Sequence, residues 1–146
     1  MVLSPGHWKK FALAERLEWQ RIQFDRANLK NVPADQMGVY TFVVRPGIAN
    51  HPECGYLMYV GMVENQAFRD RFSQYLNEQR AGDDSRRVHV TELLRKWTGH
   101  LWFYFAPIQA KERIRATEDA LLEAYLPPSN RKFPASVRRQ VAKLFS

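Results

Sequence analysis

Cysteine is nearly absent: Cys54 stands alone in 146 residues. That excludes an internal disulfide framework and any zinc site built on several thiolates. Long apolar runs are missing as well. No stretch approaches the roughly 20 apolar residues that span a bilayer, and Met1–Lys10 carries no apolar run of signal-peptide length. The expectation is a soluble protein of the reducing cytoplasm. There is no glycine-rich phosphate loop and no serine or cysteine in a nucleophile setting. His7, His89 and His100 have no partner at ligand spacing, and His51 with Cys54 offers only two ligands in one loop, a poor zinc site. Acidic residues are the minority charge, 15 against 22 lysines and arginines, for a net charge of +7. Such an excess favours anionic partners, nucleic acid above all, although it serves solubility equally.

What is present suits one compact domain over residues 1–146. Hydrophobic residues make up 45% and aromatic residues 13% of the chain, enough for a core at this length and too much for disorder.

The elements follow from periodicity. Leu13, Leu17 and Phe24 recur near helical spacing, which predicts a helix over 8–30. Asn31–Met37, with Pro33, breaks it. Gly38–Val44 and Tyr56–Gly61 are β-branched and aromatic, so they predict an antiparallel hairpin, with the turn formers Pro46, Gly47, Asn50 and Pro52 between them. Phe68, Phe72, Tyr75, Leu76 and Gln79 fall at i, i+4, i+7, i+8 and i+11, an amphipathic helix. Val88–Trp97 is ambiguous, with a short helix over Glu92–Trp97 as one reading. Leu101–Ala106 reads as a third strand. Ala110–Leu126 reads as a helix stopped by Pro127 and Pro128, and a last helix is expected over 135–145, with Val137, Val141 and Leu144 inward. The expected class is α/β (α+β), a small three-stranded, mainly antiparallel sheet flanked by helices.

One carboxylate is out of place. Ile114, Leu121, Leu122 and Tyr125 define the buried face of the 110–126 helix. Glu118, four residues from both Ile114 and Leu122, lies on that face. A carboxylate there needs a partner, a metal or water, because an unpaired buried charge is costly. The bland alternative is a structural ion pair with an arginine.

Gly38-Val39-Tyr40 and Tyr59-Val60-Gly61, on adjacent predicted strands, resemble the two signature tripeptides of the GIY-YIG nuclease family. The order of the downstream residues strengthens the likeness: Arg71 opening the amphipathic helix, Glu118 on a later helix, and Asn130 after Pro127-Pro128-Ser129. The resemblance covers about Gly38–Asn130. Departures are a longer segment between the tripeptides, around Ile48–Gly55, Met62 where a polar residue is common, and a slightly late arginine, so that Arg69 competes with Arg71.

The resemblance implies a GIY-YIG-like fold and a divalent-metal-dependent endonuclease hydrolysing phosphodiester bonds, with Tyr40, Tyr59, Arg71, Glu118 and Asn130 as its site. Glu118 would hold Mg²⁺ or Mn²⁺, as a hard cation keeping several waters needs few protein ligands. Arg71 would meet non-bridging phosphate oxygens with its planar fork. Tyr40 would accept the proton of the attacking water, which requires its pKa, near 10 when free, to be depressed by neighbouring positive charge. Tyr59 would hydrogen-bond phosphate or water. Asn130 would fix Tyr40 or the local loop. Nucleic acid, DNA more than RNA, is the expected partner. Arg69, Arg131, Lys132, Arg138, Arg139 and Lys143 are candidates for backbone phosphates. Two other roles stay open: an inactive nucleic-acid-binding module on the same scaffold, and a nuclease serving as a toxin or restriction enzyme.

Overall fold

Four antiparallel strands form one mixed sheet-and-helix architecture in the computed structural model, which describes residues 5–10, 16–45, 47, 55–82 and 87–144. The strands are β1 (Gln20–Gln23), β2 (Gly38–Val44), β3 (Tyr56–Val63) and β4 (Leu101–Pro107), in the spatial order β1-β4-β2-β3. The helices are α1 (Pro5–Lys10), α2 (Phe68–Ala81), α3 (Val88–Lys96), α4 (Lys111–Tyr125) and α5 (Arg138–Leu144).

Strand residues alternate between two faces, and both faces are covered. Tyr40, Phe42, Val44, Phe103 and Phe105 pack with Phe72 and Tyr75 of α2 and Leu94 of α3. On the opposite face Val39, Val60 and Ala106 pack with Ile114, Leu121 and Leu122 of α4. The central strands β2 and β4 are therefore apolar on both sides, and β3 and β1 form the edges. The outer edge of β3 is partly paired by the chain leaving α4, where Ser129 N donates to Met58 O at 2.9 Å. Pairing of this kind satisfies edge groups that would otherwise be open to other strands.

The sheet has four strands where three were expected, because part of the N-terminal helix expected over 8–30 is a strand. Residues 8–10 belong to α1, which lies against α4, and 11–15 are outside the described residues. Gln20–Gln23 then pairs with β4, and the backbone of Phe24 donates to Leu101 O at 2.9 Å. Ile22 and Phe24 reach the aromatic core by alternation rather than by helical spacing. Asp25 then accepts from Asn28 N at 2.9 Å and caps a 3₁₀ turn, Arg26–Asn31.

The other elements lie close to the spans expected, with α3 beginning at Val88 rather than Glu92. The C-terminal helix starts at Arg138 rather than Ala135, since Pro134 opens a turn in which Val137 N donates to Pro134 O at 3.2 Å. Val137 is nevertheless buried. His51, Cys54, most of the long β2–β3 connection, the side chains of Lys143 and Leu144, and Phe145 lie outside the described residues. Among the described residues, no helix is long and apolar enough to cross a membrane.

Candidate active site

The glycines of the two tripeptides have steric reasons to be glycine. Gly61 faces Tyr40 across the β2–β3 pair, and a Cβ there would lie 2.4 Å from the Tyr40 hydroxyl and 2.5 Å from Cζ. At Gly38, with φ +152°, a Cβ would stand 2.2 Å from the carbonyl oxygen of Ala106. One glycine lets the Tyr40 ring cross the neighbouring strand; the other lets β2 and β4 close up.

Tyr40 is sealed in the aromatic face. Its ring stacks on Phe103 with centroids 5.2 Å apart, and its hydroxyl shares a 2.6 Å hydrogen bond with that of Tyr75 on α2. Tyr59 is adjacent, with ring centroids 6.3 Å from Tyr40 and 6.5 Å from Tyr75. Two arginines face the Tyr75 ring, Arg87 at 4.9 Å and Arg71 at 6.0 Å from its centroid. Arg87 also pairs with Glu78. Arg71 instead meets the amide of Gln66, whose oxygen, oriented toward it, accepts from Nε and Nη2 at 2.9 Å each.

Arg69 is directed elsewhere, donating from Nε to Val32 O at 2.7 Å and from Nη2 to Lys30 O at 3.0 Å. Two residues apart on one helix, Arg71 points toward the tyrosines and Arg69 holds the end of the 3₁₀ turn.

Tyr59 also lines a cleft of about 770 Å³ at the β3 edge, together with Glu118 and Asn130. Glu118 is half-buried on α4. Its pKa is pushed up to about 7, by burial first and then by Asp119 and Glu64, with Arg115 and Arg71 pulling it back. Arg115 pairs with Glu64 at 2.7 Å. Asn130 binds the backbone of Val60 on both sides, accepting from its N–H at 2.9 Å and donating to its carbonyl at 2.8 Å. Its amide thus acts as a short strand segment on β3, fixing the residue between Tyr59 and Gly61 rather than Tyr40 itself.

The remaining cleft walls are strongly basic. Arg131, Lys132 and Arg138 contribute, with Arg138 held by a 3.1 Å bond from Nε to Phe133 O. Arg139 is exposed on α5 outside this lining. Arg87, His89 and Arg115 complete the basic wall. None of these three stood out in the sequence, because each comes from a different part of the chain and no local pattern joins them. Tyr75 was visible only as one apolar position in the stripe of α2. Its i+4 relation to Arg71 was the available signal that the pair shares a face.

The structure corrects the expected depression of Tyr40. Burial, and then Tyr59, hold its hydroxyl far above the ordinary tyrosine range, and Arg71 with the Tyr75 hydrogen bond offset this only in part. Tyr59 is likewise pushed up, by burial and then by Tyr75. Both are neutral phenols across the physiological range.

Among the described residues, no three His, Cys, Asp or Glu side chains gather as a metal cluster. The donors that line the cleft are the half-buried Glu118 carboxylate, the exposed Asp119 carboxylate next to it, the Tyr59 phenol, the Asn130 amide and the His89 imidazole. Two neighbouring carboxylates with few other ligands fit a hard divalent cation that keeps its waters, and a lone imidazole without thiolates is a poor zinc set. Comparisons with protein-family models, curated proteins and solved structures find no match.

Proposed function

We propose that this protein is a divalent-metal-dependent endonuclease of the GIY-YIG type, hydrolysing phosphodiester bonds of nucleic acid, DNA in the first instance. The observation that carries the reading is the meeting of Tyr59, Glu118 and Asn130 in one basic cleft, with Tyr40 and Tyr75 beside Tyr59 and Arg71 facing the Tyr75 ring. Isolated structural residues of these types have no reason to converge in the order the family's motifs follow.

The chain's own groups divide the work. The basic wall attracts the backbone. Arg71, without a carboxylate partner among the described residues, is free to meet a non-bridging phosphate oxygen with two donors. Tyr59, neutral and open to the cleft, donates a hydrogen bond to phosphate or to the attacking water. Tyr40 is buried and holds its own proton. It could act as a base toward the attacking water only as the phenolate, once that proton has left, and Arg71 and Arg87 are the resident charges that favour that form. Glu118 would hold the Mg²⁺ or Mn²⁺ ion, which supplies neutralisation of charge on the phosphate and the leaving oxygen. Asn130 is a positioning residue that keeps β3, and so Tyr59, in register.

The test is a cleavage assay with and without Mg²⁺ or Mn²⁺ on linear, nicked, flapped and branched DNA and on structured RNA. Metal-dependent cutting of any of these, lost in Glu118→Ala, is the expected result. Tight binding with no cutting under any condition would replace the nuclease with a binding module.

A further inference from the structure

The cleft continues past Tyr59. Two of its basic residues, Arg131 and His89, also line an adjoining hollow of about 290 Å³, whose other walls include Trp97, Met58 and Leu93. The volume is at the lower bound of small-ligand sites, roughly 300 Å³. Its chemistry is divided: Arg131 and the His89 imidazole where it joins the cleft, and the Trp97 ring with aliphatic side chains in the rest of the lining. Lys96 and Glu92 supply polar atoms at its margin.

Both divisions are held in place. Ser129 and Asn130 hydrogen-bond β3, so the neighbouring Arg131 leaves a fixed segment of chain. Trp97 ends α3 with its N–H on Leu93 O at 3.2 Å and its carbonyl accepting from His100 N at 2.9 Å. Arg131 has no ion-pair partner among the described residues. After burial, Arg131 and Arg87 are what disfavour the charged form of His89, with Glu78 offsetting them in part. The charge where the hollow meets the cleft is therefore that of Arg131, with the His89 imidazole, held toward its neutral form, as a hydrogen-bond donor beside it, a pair that suits an anion.

A cationic mouth leading to an aromatic wall matches a nucleotide, phosphate outermost and base inward. A base inside a duplex has both faces stacked and cannot present one to a tryptophan, whereas an unpaired base can. We propose that this hollow receives one unpaired nucleotide flanking the bond to be cut, its phosphate against Arg131 and His89 and its base against Trp97. The placement beside a scissile bond rests on the nuclease reading; the nucleotide subsite itself does not.

Binding is measured without divalent ion on the full chain carrying Glu118→Gln, following tryptophan fluorescence during titration with an oligothymidylate of about eight nucleotides. The parallel ligands are an abasic oligomer of that length, a hairpin duplex and inorganic phosphate. The oligothymidylate quenches the fluorescence. Trp97→Phe, which keeps a stacking ring, retains affinity and removes most of the quench, although Trp8, Trp19 and Trp102 still emit. Loss of the base in the abasic oligomer, or of the guanidinium in Arg131→Ala, weakens binding about tenfold. Duplex and inorganic phosphate leave the Trp97 signal unchanged. A quench that persists in Trp97→Phe, or an abasic oligomer bound as tightly as its parent, overturns the subsite. Neither result depends on a truncating change at Trp97, whose ring also packs on the aromatic core. The two readings separate cleanly. A Trp97-dependent quench in a protein whose wild-type form cuts nothing overturns only the nuclease, and cutting without that quench overturns only the subsite.

Discussion

Tyr40 and Glu118 belong to the same candidate site, yet their surroundings are opposite. Tyr40 is 2% exposed and its partner Tyr75 is fully buried, both wedged among Phe42, Phe72 and Phe103. Glu118 stands half-buried in an open basic cleft, reached from the other face of the sheet by α4. The two regions meet at Tyr59 on β3, whose ring touches the aromatic cluster and lines the cleft, and at Arg87, which faces the Tyr75 ring and lines the same cleft. The inner half is positioned by close packing, which tolerates little change of volume. The outer half is positioned by hydrogen bonds at an edge and by long-range charge. Changes inside should therefore act through stability, and changes outside through chemistry or affinity.

The largest expected effect lies outside. If Glu118 holds the ion as proposed, Glu118→Ala should lower metal-dependent cleavage on the order of a thousandfold, since losing that side chain would take away several kcal/mol of transition-state stabilisation. On the same protein the melting temperature should not fall below wild type, and nucleic-acid binding should stay near it. A melting temperature that falls along with activity would mean Glu118 is a structural ion-pair partner, and the contrast between the halves would collapse.

Next comes the inner half, probed through Gly61→Ala. The new Cβ would meet a buried ring with nowhere to move, 2.4 Å from its hydroxyl. Overpacking of this kind costs about 1–3 kcal/mol. Gly6→Ala on α1, where nothing lies within 4 Å of the added Cβ, is the control and should be neutral or slightly stabilising. Chemical denaturation reads both. A Gly61→Ala protein as stable as wild type would show that the Tyr40 ring is not held as tightly as its packing implies.

Tyr40→Phe and Tyr59→Phe sharpen the comparison at the hydroxyls. The first keeps the stacking on Phe103 but leaves the Tyr75 hydroxyl without its 2.6 Å partner, for a loss of about 1–2 kcal/mol of stability. The second removes a hydroxyl at the cleft, so cleavage should fall while stability changes by less than in Tyr40→Phe. Equal stability losses from the two would place Tyr59 with the inner half.

Much of this division could be read from residue spacing, and the unread part has physical causes. Glu118 was visible because a helix repeats every three to four residues, and a carboxylate in register with Ile114 and Leu122 stands out. The hairpin carrying Tyr40 and Tyr59 was visible from its β-branched and aromatic runs, but the reason for Gly38 and Gly61 lies across strands. β1 was missed because Leu17 and Phe24 suit a helical period, while the alternation of Ile22 and Phe24 is too short to compete with it. Arg87, His89 and Arg115 meet only after the helices have packed, a long-range fact that no local window contains. The direction of the Tyr40 shift was misjudged for a related reason. Nearby arginines were anticipated, whereas the complete burial that outweighs them depends on the folded aromatic face.

The smallest effect concerns the outer half's own cost to the fold. Glu118 titrates near 7 when folded, against 4.5 for an unperturbed glutamate. Between those values the folded chain keeps a proton that the unfolded chain has already released. Stability contributed by this group is therefore highest at and below about pH 4.5, declines as pH rises to about 7, and is flat beyond. Glu118→Gln cannot ionise, so it should match wild type near the acid end of that window and exceed it above the neutral end. The full shift converts at about 1.4 kcal/mol per pKa unit, but solvent screening of a half-buried group reduces the expected gain to about 1–2 kcal/mol. Added Mg²⁺ or Mn²⁺ should raise the melting temperature of wild type above neutral pH and raise that of Glu118→Gln less, because the variant keeps only the neighbouring Asp119 carboxylate in the cleft for the ion. Urea unfolding of both proteins from acid to mildly alkaline pH, with and without the ion, measures this. Parallel pH profiles for the two would show that Glu118 is not held in a desolvated, cation-seeking state, and the contrast with the sealed tyrosines would then rest on burial alone.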